Sequence, residues 1–444
     1  MDYIPNTDGD REEMFSSVGV TSADSLFSDI PDDVRLKGRL DLPEAMSELE
    51  IKKHMAKLAG SNAEAEHYTY FIGGGVYDHY IPSAVAHITG LPEFYTAYTP
   101  YQPEVSQGTL QSIFEYQTMI CSLTGMDVSN ASMYDGASAM AEAGIMAAKI
   151  KSKGRLLVSR SVHPEYRRVL KTYTAGIGVE ITEVDIEGGT TDMDDLKLKI
   201  KDGDALIVQN PDFFGCLEDM EAISSIVHEA GGLFIVVADP ISLGVLKAPG
   251  EYGADIVCGE GQALGSPMNF GGPHLGFLAT REKYMRQMPG RIVGQTEDDR
   301  GNTGYVLTLQ TREQHIRRNK ATSNICSNQA LCALAATVYL SLMGKKGIAE
   351  VGEQCLAKSH YLAKRLEKAG FGLAFDRPFF KEFVIRTDMD VSRAIEQLAE
   401  QKMIAGIDLS RFYPEFAGCM MIAVTEKRTK QEMDELAAGL EGLR

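Results

Sequence analysis

Four polar residues follow predicted strands or open predicted helices, which are the places where α/β proteins hold their ligands. Ser138 stands near a glycine turn that begins a helix, so the free N–H groups there suit a phosphate, although an ordinary helix cap explains the same residues. His163 could stack on a flat ligand, or it could cap or pack a helix. Asn210 lies in a tight turn after a strand. Asp239 ends the most apolar strand, where it could pair with a protonated ring nitrogen or simply close a turn.

A glycine-rich stretch, Asp255–Phe277, continues this pattern. It begins as a short apolar strand, breaks into a bend with closely spaced glycines, and returns as a second strand at Leu275–Ala279. Glycines at this density let a backbone approach a ligand or another backbone. Gln262 stands in the bend, where an active-site loop would carry its nucleophile.

The order of these features resembles that of fold-type I enzymes, which depend on pyridoxal phosphate (PLP). Those enzymes combine a phosphate turn, a stacking histidine, an Asn-Pro turn and a strand-end aspartate with a later lysine that forms a Schiff base. The lysine position corresponds to Gln262. A neutral amide cannot form an imine, so no covalent catalytic residue is expected in this chain. Lys247 and Lys283 are the nearest lysines, and both are expected to be solvated surface residues.

Strands and helices are predicted to alternate through the middle of the chain. Strands are expected at 155–159, 178–184, 204–208, 233–238, 254–258 and 275–279. Helices are expected at 108–124, 138–150, 163–174, 194–201, 219–229 and 281–288. The strands at 204–208 and 233–238 are apolar throughout, so helices are expected to cover both faces of a largely parallel sheet.

The expected fold is therefore α/β and similar to fold-type I PLP-dependent transferases. Residues 1–60 are expected to form an N-terminal arm with one helix, and 61–325 the large domain with the mostly parallel sheet. Residues 326–444 are expected to hold long helices and a small C-terminal α/β domain. The elements expected in that last part are helices at 328–342, 348–368, 391–403 and 429–442 and strands at 382–386 and 419–425.

The composition narrows the possible partners. The chain has 44 basic and 62 acidic residues, a net charge of −18, which argues against nucleic acids and anionic membranes. The chain starts without an apolar signal segment, and no apolar run is long enough to span a membrane. Seven cysteines without Cys-x-x-Cys pairs indicate reduced thiols, so a cytoplasmic protein is expected. The histidines lack zinc spacing, so no metal site is expected.

Three longer motifs carry a more specific resemblance. Residues 294–329 include the run Thr308-Leu-Gln-Thr-Arg-Glu-Gln-His-Ile-Arg-Arg-Asn-Lys-Ala-Thr-Ser-Asn-Ile-Cys326. The other two motifs are Tyr95–Gly108 and Tyr68–Tyr80, the latter with three consecutive glycines. All three resemble the P-protein of the glycine cleavage system, glycine dehydrogenase (decarboxylating). The resemblance runs from about residue 1 to residue 444.

The resemblance implies a catalytic unit made of two similar halves, of which only one holds the lysine. With Gln262 at that position, this chain is similar to the non-lysine (alpha) subunit. Its expected partner is the lysine-bearing beta subunit in an α2β2 heterotetramer, with PLP bound by the partner and none bound covalently here. The pair is expected to decarboxylate glycine and to pass the aminomethyl group to the lipoyl arm of the H-protein. Ser138, His163, Asn210, Asp239 and Gln262 then form a vestigial cofactor pocket.

The resemblance also implies that this chain lends residues to its partner's site, because fold-type I sites lie at a subunit interface. The segment 68–108 is irregular and rich in tyrosine, as interfaces often are, although a loop wrapped over the surface would have the same composition. The residues expected near the interface are Tyr95, Tyr98, Tyr101, Thr322, Ser323 and Asn324.

Two other hypotheses stay open on the sequence alone. The chain could be an independently active enzyme that binds PLP without a covalent link or through another lysine. It could instead be a pseudoenzyme or regulatory subunit whose vestigial pocket binds a small ligand. The absorption spectrum of the purified chain with PLP separates the first of these from a lysine-less subunit. A tight small-molecule complex that needs no partner would favour the second.

Overall fold

The computed structural model describes residues 5–152, 154–269 and 271–444. The chain divides into two compact units, 1–62 and 63–444. The helices described are α1 (Asp8–Val18), α2 (Glu48–Ala59), α3 (Ser83–Thr89), α4 (Pro92–Tyr95), α5 (Gln107–Thr124), α6 (Gly136–Lys151), α7 (Pro164–Ala175), α8 (Met193–Lys199), α9 (Met220–Glu229), α10 (Gln314–Arg317), α11 (Ala330–Lys368), α12 (Val391–Glu400) and α13 (Lys430–Gly442). The first unit contains α1 and α2, and each begins with a capping box, at Thr7 and Ser47.

All the strands described belong to the second unit. They are β1 (Thr69–Tyr70), β2 (Val128–Ser129), β3 (Arg155–Ser159), β4 (Glu180–Val184), β5 (Ile186–Glu187), β6 (Thr190–Thr191), β7 (Ala205–Asn210), β8 (Leu233–Ala238), β9 (Ile256–Glu260), β10 (Gly276–Thr280), β11 (Ile292–Glu297), β12 (Thr303–Thr308), β13 (Gly372–Leu373), β14 (Glu382–Arg386), β15 (Met403–Ile404), β16 (Ile407–Asp408) and β17 (Cys419–Ala423).

Seven strands form the central sheet, in the order β2-β10-β9-β8-β7-β3-β4. The strands from β9 to β4 in this order are parallel, whereas β10 runs antiparallel to both of its neighbours. Each of the six strands predicted for this region overlaps an observed strand. The predicted largely parallel sheet is therefore confirmed.

Both faces of the central sheet are buried, which explains why its strands are apolar throughout. Along β8, Phe234 and Val236 face one apolar core, while Ile235 and Val237 face another, because side chains alternate along a strand. α5 and α11 contribute to the first core, and α6 contributes to the second. Helices thus cover the faces, and the carboxyl ends of the strands stay available for a site.

The C-terminal part contains a four-stranded antiparallel sheet in the order β13-β14-β17-β16. α12 and α13 pack over a separate apolar core beside it. A short parallel pair, β1 with β15, joins the start of the tyrosine-rich segment to this part of the chain. Residues that precede the central sheet in sequence are thereby anchored next to the C-terminal sheet.

The sequence predicts two long helices at 328–342 and 348–368, and the structure has one helical run, α11, interrupted at Gly344. This glycine has φ 57° and ψ −174°, outside the helical region. By length and composition α11 could cross a membrane. Its residues Cys332, Ala336 and Tyr339 nevertheless lie in the core beside the central sheet, so it packs as a core helix.

The region 291–323 has little periodicity, yet it contains a hairpin of β11 and β12. In the connecting turn the Asp298 carboxylate accepts hydrogen bonds from the N–H groups of Arg300 and Asn302, each at 2.8 Å. Within the described hairpin, Ile292 and Val293 alone are buried, so no alternating apolar pattern marks it. The helix predicted at 281–288 is a 3-10 helix, Glu282–Gln287.

Candidate functional site

The ends of four neighbouring parallel strands bring most of the predicted pocket residues together. His163 follows β3, Asn210 ends β7, Asp239 follows β8 and Gln262 follows β9. Because these strands are adjacent and parallel, the four residues lie along one edge of the sheet. A cavity of about 30 Å³ lies there, and its lining includes His163, Asp239, Tyr77 and Glu260.

Ser138 and Asn210 support the backbone around this cavity. The N–H of Ser138 donates to the Asp135 carboxylate (2.7 Å), and the N–H of Asp135 donates to the Ser138 hydroxyl (3.2 Å), which completes a capping box at the start of α6. The side-chain oxygen of Asn210 accepts a hydrogen bond from the N–H of Glu218 (3.1 Å). Both residues therefore hold turns in place.

The carboxylate of Glu260 lies at the start of α6, where the sequence is compatible with either a phosphate site or an ordinary helix cap. One of its oxygens accepts a hydrogen bond from the N–H of Gly136 (2.9 Å). The other accepts from the N–H groups of Gln262 (2.9 Å) and Leu275 (3.0 Å). A helix N-terminus favours a negative charge in this position. Burial raises the pKa of Glu260 to about 7, although the three N–H groups act in the opposite direction.

Gly136 permits this close approach. A Cβ at this position would lie 2.9 Å from the backbone nitrogen of Glu260 and 2.5 Å from the Tyr166 hydroxyl. Both distances are shorter than non-bonded contacts of a methyl group allow. A glycine at the first position of α6 is therefore required for the Glu260 carboxylate to reach the helix N-terminus.

Gln262 is buried, with 1% of its surface exposed. Its side-chain oxygen accepts a hydrogen bond from the N–H of Tyr77 (3.0 Å). Its side-chain nitrogen donates to the carbonyls of Tyr77 (3.2 Å) and Ser266 (2.7 Å). Both ends of the amide are engaged, so Gln262 ties the bend after β9 to the segment that carries Tyr77.

Asp239 forms an ion pair with Lys381, which lies directly before β14. Their charged groups are 2.8 Å apart, and the lysine side chain is 1% exposed. The Lys381 ammonium also donates to Nε2 of His79 (3.1 Å) and lies 3.4 Å from the ring centre of Tyr77. These partners compensate for the cost of removing the ammonium from water.

The polar network continues through His79 to Glu426. Because Lys381 donates to Nε2 of His79, Nδ1 carries the proton that the Glu426 carboxylate accepts at 2.6 Å. Burial alone would raise the pKa of Glu426, but the hydrogen bonds from His79 and from the Tyr80 N–H outweigh it and lower the pKa to about 2. His79, Cys355 and Glu426 have the spacing of metal ligands. Both histidine nitrogens are engaged, however, and the nearby ammonium repels a cation, so we assign no metal to this cluster.

The ring of His163 stacks on Tyr166, with centroids 4.6 Å apart and planes inclined by 19°. Burial lowers the pKa of His163 to about 4, so the ring is neutral at pH 7. Its Nε2–H donates to the carbonyl of Gly74 (2.8 Å), and its Nδ1 accepts from the N–H of Glu165 (3.1 Å). His163 thus caps α7 and holds the loop at Gly74.

The residues of this pocket do not fit PLP. Gln262 cannot form the covalent link, Glu260 occupies the N–H groups that would hold a phosphate, and Lys381 already neutralises Asp239. A cavity of about 30 Å³ has room for roughly one or two waters and none for a pyridine ring. We therefore assign no catalytic step to a cofactor in this pocket.

The residues expected near the interface lie in two surface segments that Arg291 joins. Tyr95 is 68% exposed, Tyr98 86% and Tyr101 51%. The buried guanidinium of Arg291 donates to the Tyr101 hydroxyl (3.1 Å) and to the carbonyl of Cys326 (2.8 Å). The residues just before Cys326 line an open cavity of about 430 Å³, and they include Thr322, Ser323 and Asn324.

The residues at this site that the sequence-based set misses include Tyr77 and Glu260, which line the cavity, and Lys381, which pairs with Asp239. Glu260 ends an apolar strand two residues before Gln262, and Lys381 interrupts the aromatic run Phe379–Phe383. A charge inside a buried apolar run is a usable signal, since it requires a buried partner. The sequence does not reveal which residue that partner is, because Asp239 lies far from Lys381 along the chain and the two meet only in the folded structure.

Known proteins resemble this chain over its full length. The family model described as "Glycine cleavage system P-protein" matches residues 1–440. A protein of Carboxydothermus hydrogenoformans, "Probable glycine dehydrogenase (decarboxylating) subunit 1", is 57% identical over 443 residues, which cover 100% of each chain. A crystal structure of glycine decarboxylase (P-protein) of the glycine cleavage system, in inhibitor-bound form, has a TM-score of 0.91 and 42% identity over 100% of each chain.

A more distant structure bears on the fold alone. The apo structure of the cysteine desulfurase from Thermococcus onnurineus NA1 has a TM-score of 0.64 at 14% identity, and the match covers 85% of this chain and 95% of that one. The predicted fold-type I architecture is therefore confirmed.

Proposed function

Because the chain belongs to the glycine cleavage system P-protein family, we propose that it is the lysine-less subunit of a two-subunit glycine dehydrogenase (decarboxylating). The complete unit decarboxylates glycine and transfers the aminomethyl group to the lipoyl arm of the H-protein. The observation that carries the assignment of this chain is Gln262. Its amide stands where a Schiff-base lysine is expected, and both of its ends are committed to Tyr77 and Ser266.

In this proposal PLP and the decarboxylation step belong to the partner, a homologous subunit that carries the lysine. Two contacts support this division. Glu260 engages the backbone donors that a phosphate would need, and Lys381 engages the carboxylate that a ring nitrogen would need. We expect the two chains to assemble as an α2β2 heterotetramer that works in the cytoplasm.

This chain then contributes surface residues to the shared site. The exposed rings of Tyr95, Tyr98 and Tyr101 offer apolar area with a polar tip, which suits an interface. Arg291 binds both Tyr101 and Cys326, which follows Thr322–Asn324 closely in the sequence. The two segments therefore lie side by side and can contact the partner together. We assign these residues a binding role and no proton transfer.

The experiment that tests the proposal is glycine–bicarbonate exchange with lipoylated H-protein. It compares this chain alone, the lysine-bearing homologue alone, and their mixture. Exchange is expected in the mixture and is expected to saturate at equimolar chains, because each chain lacks residues that the other contributes to the site. A mixture of the homologue with an unrelated protein serves as the control. Full exchange by either chain alone would contradict the proposal.

The sequence leaves open an independent enzyme that uses another lysine, and the site argues against it. Lys247 pairs with Glu221 (2.7 Å) and Lys283 with Asp255 (3.7 Å), and both lysine side chains are largely exposed. Lys381 is beside the cavity, but its ammonium is held by Asp239 and is no nucleophile in that state.

A regulatory subunit that senses a small ligand in the vestigial pocket is also not favoured. Side chains reduce the cavity to about 30 Å³, which excludes metabolites larger than a few waters.

A further inference from the structure

We propose that this chain occupies its own cofactor site, with the Glu260 carboxylate in the place of a phosphate and the Lys381 ammonium in the place of a protonated ring nitrogen. The inference deepens the proposed function. It rests on that function only in taking this edge of the sheet as the counterpart of the partner's cofactor site. Each substitute has the charge sign of the group it replaces.

At the position proposed for the phosphate, the Glu260 carboxylate accepts hydrogen bonds from three backbone N–H groups. The N–H groups of Gly136, Gln262 and Leu275 all lie within 3.0 Å of its carboxylate oxygens. Gly136 opens α6, whereas Gln262 and Leu275 flank β9 and β10, and backbone N–H groups that converge in this way bind an oxyanion of any origin. The same donors can therefore hold a carboxylate of the chain or the phosphate of a ligand, but they cannot hold both.

On the cationic side, both oxygens of Asp239 already have a donor. One oxygen pairs with the Lys381 ammonium at 2.8 Å, and the other accepts from the N–H of Ile241 at 3.0 Å. A protonated ring nitrogen on Asp239 would lie against the like-charged ammonium of Lys381, so its binding would displace Lys381. That displacement would leave a buried ammonium without this counter-ion, which is unfavourable.

Tyr77 lines the cavity that remains and is fixed in position. Gln262 binds both the N–H and the carbonyl of Tyr77, and the Tyr77 hydroxyl donates to Glu382 at 2.9 Å. Moving the ring aside would break buried hydrogen bonds at its backbone and at its hydroxyl. Tyr77 therefore occupies the space that a cofactor ring would need, just as Glu260 and Lys381 occupy the positions of its charged groups.

Restoring a lysine is consequently not enough to restore cofactor binding. The phosphate of PLP would meet the carboxylate of Glu260, and its ring nitrogen would meet the ammonium of Lys381. The site excludes PLP by charge as well as by shape. Opening it requires removal of both substitutes and release of Tyr77 from Gln262.

Chemical rescue of the Glu260→Ala variant of the full-length chain tests the anionic half. The substitution leaves three backbone N–H groups without their acceptor, so the Tm is expected to fall. Inorganic phosphate at millimolar concentration should then bind the vacated donors and raise the Tm of this variant. The expected rise is about 2 °C more than chloride of equal ionic strength produces.

Wild type and Glu229→Ala are the matched controls, since Glu229 is an exposed carboxylate at the end of α9. Both are expected to show the same small general response to phosphate. A response of Glu260→Ala no larger than that of the two controls would overturn the proposal. The difference between variants isolates a specific site, because general salt stabilisation acts on all three chains.

If Glu260→Ala does not fold, the crystal structure of the wild-type chain grown with excess PLP decides the question. Glu260 is expected on the Gly136 N–H, and Lys381 is expected on Asp239, with no cofactor in the cavity. PLP in the cavity with Lys381 displaced would overturn the proposal. Neither readout depends on glycine turnover, so failure of the proposed function and failure of this inference give different results.

Discussion

The ammonium of Lys381 lies 2.8 Å from the carboxylate of Asp239, and the lysine side chain is 1% exposed. This ion pair joins the start of β14 in the C-terminal sheet to the end of β8 in the central sheet. It therefore connects the two sheets at the edge where a fold-type I enzyme would hold its cofactor. Backbone hydrogen bonds next to it, from the N–H of Leu217 to the carbonyl of Pro378 (2.9 Å) and from the N–H of Phe380 to the carbonyl of Gly215 (3.2 Å), make the same connection.

Breaking this pair from one side is expected to destabilise the chain strongly. Lys381→Met leaves Asp239, whose side chain is only 13% exposed, without its counter-ion, and such a loss costs about 3–5 kcal/mol at a buried pair. The double variant Lys381→Met with Asp239→Asn should recover most of the loss, because both charges are removed together. Urea unfolding measures both effects.

Lys247→Met is the matched control for that experiment, since Lys247 pairs with Glu221 at the surface. No measurable change is expected for an exposed pair. Equal urea midpoints for Lys381→Met and wild type would contradict a structural role of the buried ion pair.

Stability should fall with rising pH through the titration of Glu382. Burial raises the pKa of Glu382 to about 7, above its ordinary value of 4.5. The folded state therefore binds more protons than the unfolded state between these values, so this contribution to stability is present below pH 4.5 and is lost as pH rises through about 7.

The isosteric variant Glu382→Gln cannot titrate and should lose less stability over that range, by roughly 1–3 kcal/mol. Tm measurements at several pH values from about 5 to 8 compare the two chains, with Glu229→Gln as an exposed control. Parallel profiles of wild type and Glu382→Gln would show that Glu382 does not titrate in this way.

Gln262→Lys alone is expected to remain without stable cofactor and without glycine decarboxylation in the absence of the partner. Glu260 and Lys381 still fill the charged positions in that variant. The triple variant Gln262→Lys, Glu260→Ala and Lys381→Met should retain PLP through desalting. Borohydride should then fix the cofactor on the peptide that contains position 262, as mass spectrometry can show. Stoichiometric labelling of the single variant at that peptide would disprove the idea of a self-occupied site.

Tyr98→Ala should weaken association with the partner without affecting the fold of this chain. Its ring is 86% exposed, so truncation removes no internal packing. Truncating a tyrosine that anchors an interface commonly weakens binding by at least one order of magnitude, so the Kd should rise about 10-fold. Leu198→Ala, at an 84% exposed residue of α8, is the control and should leave the Kd unchanged. Equal affinities of the two variants would argue against the predicted interface.

The sequence predicts the central sheet well because its signals are local. β8 is a continuous apolar run, and the start of α6 has a capping pair in Asp135 and Ser138. The hairpin of β11 and β12 is not predicted from the sequence, because few of its side chains are buried and no alternating apolar pattern results. Its turn is stabilised by the Asp298 carboxylate.

The candidate site is predictable only in part. His163, Asp239 and Gln262 come from strand ends, where the topology of a parallel sheet brings them to one edge. Tyr77 precedes the central sheet in the sequence and Lys381 follows it. The contacts of Lys381 with Tyr77 and Asp239 depend on tertiary packing, which a local sequence pattern does not encode. The roles of Tyr95, Tyr101 and Thr322–Asn324 at an interface stay predictions.

The most direct test of the account is a titration of the lysine-bearing homologue with this chain, followed by glycine–bicarbonate exchange with lipoylated H-protein. The account predicts no exchange with this chain alone, a rise in exchange as the chain is added, and saturation at equimolar chains. Exchange that is already maximal before this chain is added, or exchange by this chain without the homologue, would contradict it.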